Sequence, residues 1–156
     1  MADMNFVKSA EMKIELTAEQ SEMLSTKENI KLIIKDNPDT VMAFDIIDED
    51  NLIGFVLVHR FEDRKYFLWE YAIDIRFQNQ HKGTQALIEF IDYMKTRYDA
   101  MEITTTYIFG NDHAKHVYEK VGFIETDVVD EPDCHEVNMA YYCNEPGRKQ
   151  SKQFSI

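Results

Sequence analysis

The most constraining feature of the sequence is a strand, helix, strand pattern in the middle of the chain. Residues 66–73 and 101–108 are rich in β-branched and aromatic side chains, which is typical of strands. Between them, four apolar residues recur at the period of an amphipathic helix that runs from Lys82 to Tyr98: Leu87, Ile91, Met94 and Tyr98. Two strands joined through a helix predict a parallel crossover.

The flanking sequence extends this unit into a larger pattern of strands and helices. A helix is expected at 18–35, ending at Asn37-Pro38-Asp39, and a short helix lies between Asn111 or Asp112 as N-cap and Gly122 as C-cap. The other predicted strands are 13–16, 41–47, 52–59, 123–129 and 134–143. The acidic residues 48–51 join two of them as a hairpin turn.

This order predicts an α/β fold with helices on both faces of one twisted sheet. The sheet should be mixed but mostly antiparallel, with about six or seven strands and one parallel crossover. We expect a single domain over residues 1–143 and a polar tail over 144–156.

Charge and composition narrow the function classes. Seventeen Lys and Arg against twenty-nine Asp and Glu give a net charge of −12, which argues against a nucleic-acid partner. An acidic surface attracts cationic amines, although solubility explains an acidic chain equally well. Apolar runs are far shorter than the roughly 20 residues that cross a bilayer, so no membrane partner is expected. Two cysteines and no signal peptide indicate reduced thiols and a cytoplasmic protein.

Two short segments carry the clearest chemical signal. Residues 78–84 read Gln-Asn-Gln-His-Lys-Gly-Thr between a strand and a helix, and the first N–H groups of a helix suit a pyrophosphate. Residues 111–123 contain Asn111, Ala114, Tyr118, Gly122 and Phe123 at fixed spacing.

Together the two segments resemble the GNAT acetyltransferases, most closely their bacterial polyamine-type members. The second segment fits the family block Asn-x-x-Ala-x-x-x-Tyr-x-x-x-Gly-Phe at every defined position. The first fits the loop Gln/Arg-x-x-Gly-x-Gly/Ala at Gln78 and Gly83 but has His81 where the first glycine stands. A side chain there would be strained if the position needs a positive φ.

The resemblance implies acetyl-CoA as cosubstrate and assigns the residues that bind it. Backbone groups of Tyr71, Ala72 and Ile73 would pair with the pantetheine arm as an added strand does. Asn111 would contact the same arm, while also serving as a helix N-cap. The other implied binding residues are Gln78, Asn79, Gln80, His81, Lys82, Gly83, Thr84 and Ala114.

Two residues are candidates for proton transfer. An attacking amine has a pKa of about 10.4, so it must lose a proton before it attacks. Glu70 interrupts an otherwise apolar strand, and its carboxylate could accept this proton. Glu70 could instead face solvent or hold a cationic substrate. By the family resemblance, Tyr118 lies near the cofactor sulfur and protonates the departing thiolate; otherwise it is a core aromatic on its helix.

The sequence thus predicts an N-acetyltransferase that transfers an acetyl group to a small cationic primary amine, such as a polyamine, by direct attack in a ternary complex. The alternatives are a non-catalytic acyl-CoA-binding or regulatory module, an interaction scaffold, or an enzyme acting on aminoglycoside or protein amines. His113 and His116 lie one helical turn apart without further ligands at a recognisable spacing, so no metal is expected. The sequence does not decide whether the protein forms a homodimer.

Overall fold

One seven-stranded sheet organises the computed structural model, which describes residues 4–78 and 80–143. In chain order the elements are β1 (Asn5–Lys8), α1 (Ala18–Met23), α2 (Lys27–Asp36), β2 (Val41–Asp48), β3 (Asn51–Glu62), β4 (Lys65–Ile73), α3 (Lys82–Tyr98), β5 (Glu102–Ile108), α4 (Asp112–Val121), β6 (Ile124–Glu131) and β7 (Cys134–Tyr142). The predicted tail lies outside the described residues. No helix within them is both long and apolar enough to cross a membrane.

The strand order is β1-β2-β3-β4-β5-β7-β6, and every neighbouring pair is antiparallel except β4 and β5. The parallel pair is joined through α3, because a parallel connection must return the chain to the starting end of the sheet. The predicted α/β class, the mixed sheet and the single crossover are confirmed.

Local sequence explains the hairpin between β2 and β3. Glu49 and Asp50 both adopt positive φ values, 51° and 70°, as a two-residue turn requires when it follows the right-handed twist of its strands. The turn therefore places three acidic side chains in a row, those of Asp48, Glu49 and Asp50.

The two faces of the sheet carry separate apolar clusters. On β2, Phe44 and Ile46 face the side of α3, while Val41 and Ala43 face the side of α2. The α3 side is filled by Ala86, Leu87, Phe90, Ile91 and Met94 of that helix, which form one stripe, and the α2 side by Ile30, Ile33 and Ile34. Helices therefore cover both faces, as predicted.

The N-terminal segment differs from its prediction. The expected strand at 13–16 is wrong: the chain there forms no ladder, and the strand of the N-terminal segment is β1, which pairs with β2. Met12 and Ile14 are buried in the α2-side cluster. Their alternation therefore reflects packing onto a sheet face, which sequence periodicity does not distinguish from strand pairing.

The expected single helix at 18–35 is two helices. Leu24 is extended, with φ −100° and ψ 158°, and the Thr26 side chain caps the second helix by accepting a hydrogen bond from the Asn29 N–H. Thr17 caps α1 in the same way, reciprocally with Gln20. Because of this break, the linker between α1 and α2 lies over β4.

A buried carboxylate fastens the N-terminal segment to the end of β4. Asp74 is fully buried and accepts hydrogen bonds from the Glu15 N–H at 3.0 Å, from the Arg76 N–H at 2.8 Å and from the Arg76 guanidinium at 2.9 and 3.1 Å. The guanidinium hydrogen bonds lower the pKa of Asp74 to about 2, against the opposing effect of burial. Asp74 is therefore ionised in the folded protein at neutral pH.

Replacing Asp74 with Asn should destabilise the fold by about 2–4 kcal/mol at pH 7, because a buried charged acceptor of several hydrogen bonds is lost. The pKa of Asp74 is lowered by folding, so its contribution is complete above the usual carboxyl pKa and is lost as pH falls towards about 2. Urea unfolding of wild type and variant between pH 7 and pH 2 measures both effects. Asp92→Asn, at an exposed position on α3, is the control. Equal losses in the two variants would contradict the role of Asp74.

Candidate active site

The strands β4 and β5 part after a short ladder. Their pairing covers only Lys65 with Glu102, Tyr66 with Ile103 and Phe67 with Thr104, although β4 continues to Ile73 and β5 to Ile108. Beyond this ladder the edge of β4 that faces β5 has no strand beside it among the described residues. An extended ligand with amide groups can pair with such an edge as an added strand.

A β-bulge in β4 sets which side chains face which side of the sheet. On β3, Val58 pairs with Leu68, and the residue before it, Leu57, pairs with Glu70. Trp69 is therefore an extra residue on β4. Without the bulge, Glu70 would share a face with Leu68. With it, Glu70 faces the α2 side, as Leu57 does.

The same bulge turns the next residue towards the other side of the sheet. Tyr71 pairs with Val56, which belongs to the cluster on the α3 side. Glu70 and Tyr71 therefore lie on opposite sides of β4, each next to the gap between β4 and β5.

Glu70 is a buried carboxyl group, 7% exposed, on the α2 side of the gap. Its Oε2 accepts a long hydrogen bond, 3.4 Å, from the Ser25 N–H in the linker between α1 and α2. Burial raises the pKa of Glu70, while the hydrogen bonds of Ser25 act in the opposite direction. A carboxyl group with a raised pKa is better matched to taking a proton near neutral pH.

Tyr118 approaches the gap from the α3 side. It lies on α4, and its ring packs against Phe123 with centroids 5.4 Å apart. Burial raises the pKa of the Tyr118 phenol, a hydrogen bond with Thr105 lowers it, and the charge of Glu70 raises it. Tyr118 is thus close enough to Glu70 to interact with it electrostatically, and it remains protonated at neutral pH.

The hydroxyl of Tyr71 ties β4 to the start of α3. It donates a hydrogen bond to the carbonyl oxygen of Gly83 in the first turn of that helix. Burial raises the pKa of Tyr71 far above the usual range, so the hydroxyl acts as a donor at all ordinary pH values. The parting strands and the helix N-terminus are held as one unit.

The start of α3 presents backbone donors. The Gln85 N–H makes the first hydrogen bond of the helix, to the carbonyl of His81 at 3.2 Å. By helix geometry the N–H groups of Lys82, Gly83 and Thr84 precede this bond and have no partner within the helix. Such a terminus suits an anionic group of the pyrophosphate type.

His81 occupies the strained position of this loop. It is the N-cap of α3, with φ 62° and ψ 13°, and its side chain makes no capping hydrogen bond. The position does require the left-handed conformation that glycine adopts easily. The His81 side chain is exposed, so it leaves the interior of the loop open.

Two polar side chains of the loop, those of Lys82 and Gln78, are engaged with other parts of the chain. The Lys82 ammonium forms an ion pair with Asp48 of the β2–β3 turn. The Gln78 amide donates to Gln20 Oε1 and to the carbonyl of Ile73, both at 2.9 Å. These two side chains are therefore turned away from the first N–H groups of α3 in this conformation. Gln80 is exposed, Thr84 is half-buried and Asn79 lies outside the described residues.

The helix α1 reaches over the gap. The Gln20 amide donates to the Ile73 carbonyl at 3.3 Å, and Met23 Sδ lies 3.7 Å from the Asn111 amide nitrogen. Asn111 also caps α4 through the Ala114 N–H, at 3.2 Å, and Ala114 packs against the α3-side cluster. The structural role expected of Asn111 is present, and its amide nitrogen remains directed towards α1.

Sequence reasoning missed two participants in this site, Ser25 and Thr105. Thr105 is buried on β5 and Ser25 lies in a helix linker, and neither stands in a recognisable motif. Ser25 reaches Glu70 because of the bulge and the helix break, and Thr105 donates to the Leu68 carbonyl where β4 and β5 part. No local signal in the sequence marks them.

Residues 6–123 match the family model described as the acetyltransferase (GNAT) family. The match covers most of the chain, and the chain therefore belongs to the GNAT acetyltransferase family. The predicted recognition and the predicted enzyme class, an N-acetyltransferase, are confirmed. No curated protein sequence matches the chain.

Solved structures of similar fold include several acetyltransferases. The spermidine N-acetyltransferase from Vibrio cholerae in complex with CoA and spermine is 18% identical, with a TM-score of 0.65 over 80% of this chain and 79% of that one. The ribosomal-protein-S5-alanine acetyltransferase from Vibrio fischeri is 18% identical, with a TM-score of 0.60 over 76% and 71%. A ribosomal L7/L12 α-N-protein acetyltransferase in complex with coenzyme A is 16% identical, with a TM-score of 0.63 over 78% and 75%. At these identities the likeness shows a shared fold.

Replacing His81 with Gly should stabilise the protein by up to about 1 kcal/mol, because glycine adopts a φ of 62° without the steric cost that a side chain carries. Thermal unfolding measures the change. His116→Gly is a matched control, since His116 is an exposed helical residue of α4, where glycine lowers stability. Destabilisation in both variants would show that the His81 backbone carries no strain.

Proposed function

We propose that this protein transfers an acetyl group from acetyl-CoA to a small cationic primary amine by direct attack in a ternary complex. The observation that carries the proposal is that Glu70 and Tyr118 lie on opposite sides of the sheet where β4 and β5 part, and that the charge of Glu70 raises the pKa of Tyr118. A proton acceptor on one side and a proton donor on the other match the requirements of acyl transfer from a thioester to an amine.

The open edge of β4 and the N-terminus of α3 fit the two ends of acetyl-CoA. Backbone groups of Tyr71, Ala72 and Ile73 offer the edge to the pantetheine amides, and the free N–H groups that begin α3 lie where the pyrophosphate would follow. Asn111 faces the same gap. Binding along the Ile73 carbonyl would displace the amides of Gln20 and Gln78.

Glu70 and Tyr118 divide the proton transfers between them. Glu70 accepts a proton from the ammonium form of the acceptor, directly or through a water molecule, so that the neutral amine attacks the thioester carbonyl. As the carbon–sulfur bond breaks, Tyr118 donates its phenolic proton to the sulfur, and the thiol leaves. The nitrogen that has joined the acetyl carbon still carries one proton too many; this proton passes to the phenolate and restores Tyr118, and Glu70 releases its proton to solvent.

A cationic acceptor is supported by the face of the sheet that continues from Glu70. Thr106 pairs with Asn138, which pairs with Asp127, so all three side chains share the α2 side. Asn138 donates to Asp127 at 3.1 Å and leaves this carboxylate exposed. Together with a net charge of −12, this face favours positively charged substrates. The similar fold solved with spermine agrees in substrate chemistry.

A second candidate is a non-catalytic acyl-CoA-binding module. It is favoured by the ion pair of Lys82 with Asp48 and by the engagement of Gln78 with Gln20, which leave these side chains turned away from a phosphate. Tight binding of acetyl-CoA without turnover would identify it.

Purified protein with acetyl-CoA and a panel of polyamines, aminoglycosides and peptide N-termini should release free thiol, fastest with polyamines. Replacing Tyr118 with Phe should slow this release by about 100-fold or more at unchanged stability, because the proton donor is lost while the ring remains. A thiol-reactive dye follows the rate. Phe123→Leu tests ring packing alone, since Phe123 is the aromatic neighbour of Tyr118. Full activity of Tyr118→Phe would refute its role.

The pH profile tests Glu70. Burial raises the pKa of Glu70, so kcat/KM should increase with pH through a carboxyl titration that lies above the usual range. Replacing Glu70 with Gln should remove this step and lower the rate by about 100-fold. Without the base, only the neutral form of the acceptor amine can attack, so the increase that remains in the variant follows the ionisation of the amine and serves as the reference. A carboxyl step that survives in Glu70→Gln would exclude Glu70 as the base.

A further inference from the structure

Trp69 is an exposed aromatic side chain next to a buried carboxyl group. It is the extra residue that the β-bulge inserts into β4, and 40% of its surface is exposed, whereas its neighbour Glu70 is 7% exposed. Bulges are common beside active sites, where they change the direction of a side chain. Trp69 also lies beyond the last ladder pair of β4 with β5, so it borders the gap between these strands.

The contact with His59 shows which side of the sheet Trp69 faces. The centroids of the two rings lie 6.2 Å apart in a T-shaped arrangement. His59 pairs across the ladder with Val41, a buried residue of the α2-side cluster, and cross-strand partners share one face of a sheet. Trp69 therefore lies on the α2 side, which is also the side that Glu70 faces. The indole and the candidate base border the gap on the same side.

The sheet next to Trp69 carries polar side chains on this side. On β5, Ile103 and Tyr107 belong to the α3-side cluster, so Thr104 and Thr106 face the α2 side by strand alternation. Among the described residues, none of β5, β6 or β7 belongs to the α2-side cluster. The exposed carboxylate of Asp127 lies on the same side, on the outer strand β6. A polar surface therefore extends from Trp69 towards a negative charge.

The indole ring of Trp69 suits one kind of ligand in particular. The cation–π pairs within the described part of the chain join Arg76 to Phe77 and Arg97 to Tyr93, and neither involves Trp69. An indole packs against methylene groups, and it attracts an ammonium group more strongly than the ring of Phe or Tyr does. A linear polyamine consists of these two kinds of group in alternation. Its chemistry therefore matches an exposed indole beside a carboxyl group.

We propose that Trp69 determines acceptor specificity: it packs against the methylene chain of a linear polyamine and binds the ammonium group that follows the reacting amine. This inference rests on the function proposed above. Glu70 takes the proton of the reacting nitrogen, while Trp69 contacts acceptor atoms that do not react. The indole therefore contributes to acceptor affinity and leaves the chemical step unchanged, and a monoamine, which has no second ammonium group, gains less from it.

Replacing Trp69 with Leu should raise the KM for spermidine about fivefold or more and change kcat by less than about twofold, because an ammonium-binding ring is lost. The ratio of kcat/KM for spermidine to that for n-butylamine should fall by a similar factor. Trp69→Phe keeps an aromatic face and should restore part of this ratio. The KM for acetyl-CoA should stay the same in all three proteins. Release of free thiol measures each rate.

Phe61→Leu is the matched control, because Phe61 is an exposed aromatic side chain next to the turn that joins β3 and β4, away from the gap. It should leave both the KM for spermidine and the ratio unchanged. An unchanged ratio in Trp69→Leu, an equal fall in Phe61→Leu, or a loss of kcat at constant KM would each overturn the inference. Thermal unfolding of every variant confirms that the rates refer to folded protein.

Binding can be followed without turnover through the fluorescence of Trp69, since the chain has a single tryptophan. In the presence of CoA, which has no acetyl group to transfer, spermidine should change the emission in a saturable way, and n-butylamine should change it less. Magnesium chloride at the same ionic strength controls for charge screening and should leave the emission unchanged. Binding of spermidine by calorimetry with no change in emission would place the acceptor away from Trp69 and overturn the inference.

The failure of this inference and the failure of the proposed function give different results. If spermidine changes the emission but wild type releases no thiol with any amine, the acetyltransferase proposal fails and the Trp69 contact stands. If wild type releases thiol with polyamines and Trp69→Leu distinguishes spermidine from n-butylamine as well as wild type does, the proposed function stands and the inference fails. If spermidine neither binds nor reacts, the inference also fails.

Discussion

The parting of β4 from β5 after three ladder pairs is the constraint on which the rest of the site depends. An ordinary parallel pair would satisfy its own backbone groups and leave nothing for a ligand. Here the edge of β4 stays open, and the bulge at Trp69 turns Glu70 and Tyr71 to opposite sides of it. The parting therefore leaves the edge of β4 open, and the bulge gives that edge two chemically different sides.

The opening is kept in shape by polar contacts at its rim. The fully buried Asp74 fastens the segment around Glu15 to the end of β4, and the Tyr71 hydroxyl fastens β4 to the first turn of α3. These contacts join neighbouring elements where the sheet itself no longer does. The gap is therefore braced by hydrogen bonds both on the side of the N-terminal segment and on the side of α3.

Features that depend on local sequence were predictable. The spacing of apolar residues predicted α3 correctly, and Gly122 as C-cap predicted the end of α4. Amphipathic spacing and helix caps are both encoded within a few residues of sequence. The strand expected at 13–16 failed because alternation does not reveal whether a face or an edge is buried. Glu70 and Tyr118 were singled out by residue type and motif. The side of the sheet that Glu70 faces depends on a bulge whose position no short pattern specifies.

The short helix α1 has a consequence for how such an enzyme changes over time. None of its residues is buried, and it is held to the cleft by polar and thioether contacts of Gln20 and Met23. Substitutions in α1 consequently alter the wall of the cleft while leaving the core intact, since exposed positions contribute little to folding free energy. This wall of the cleft can therefore change in sequence without loss of stability.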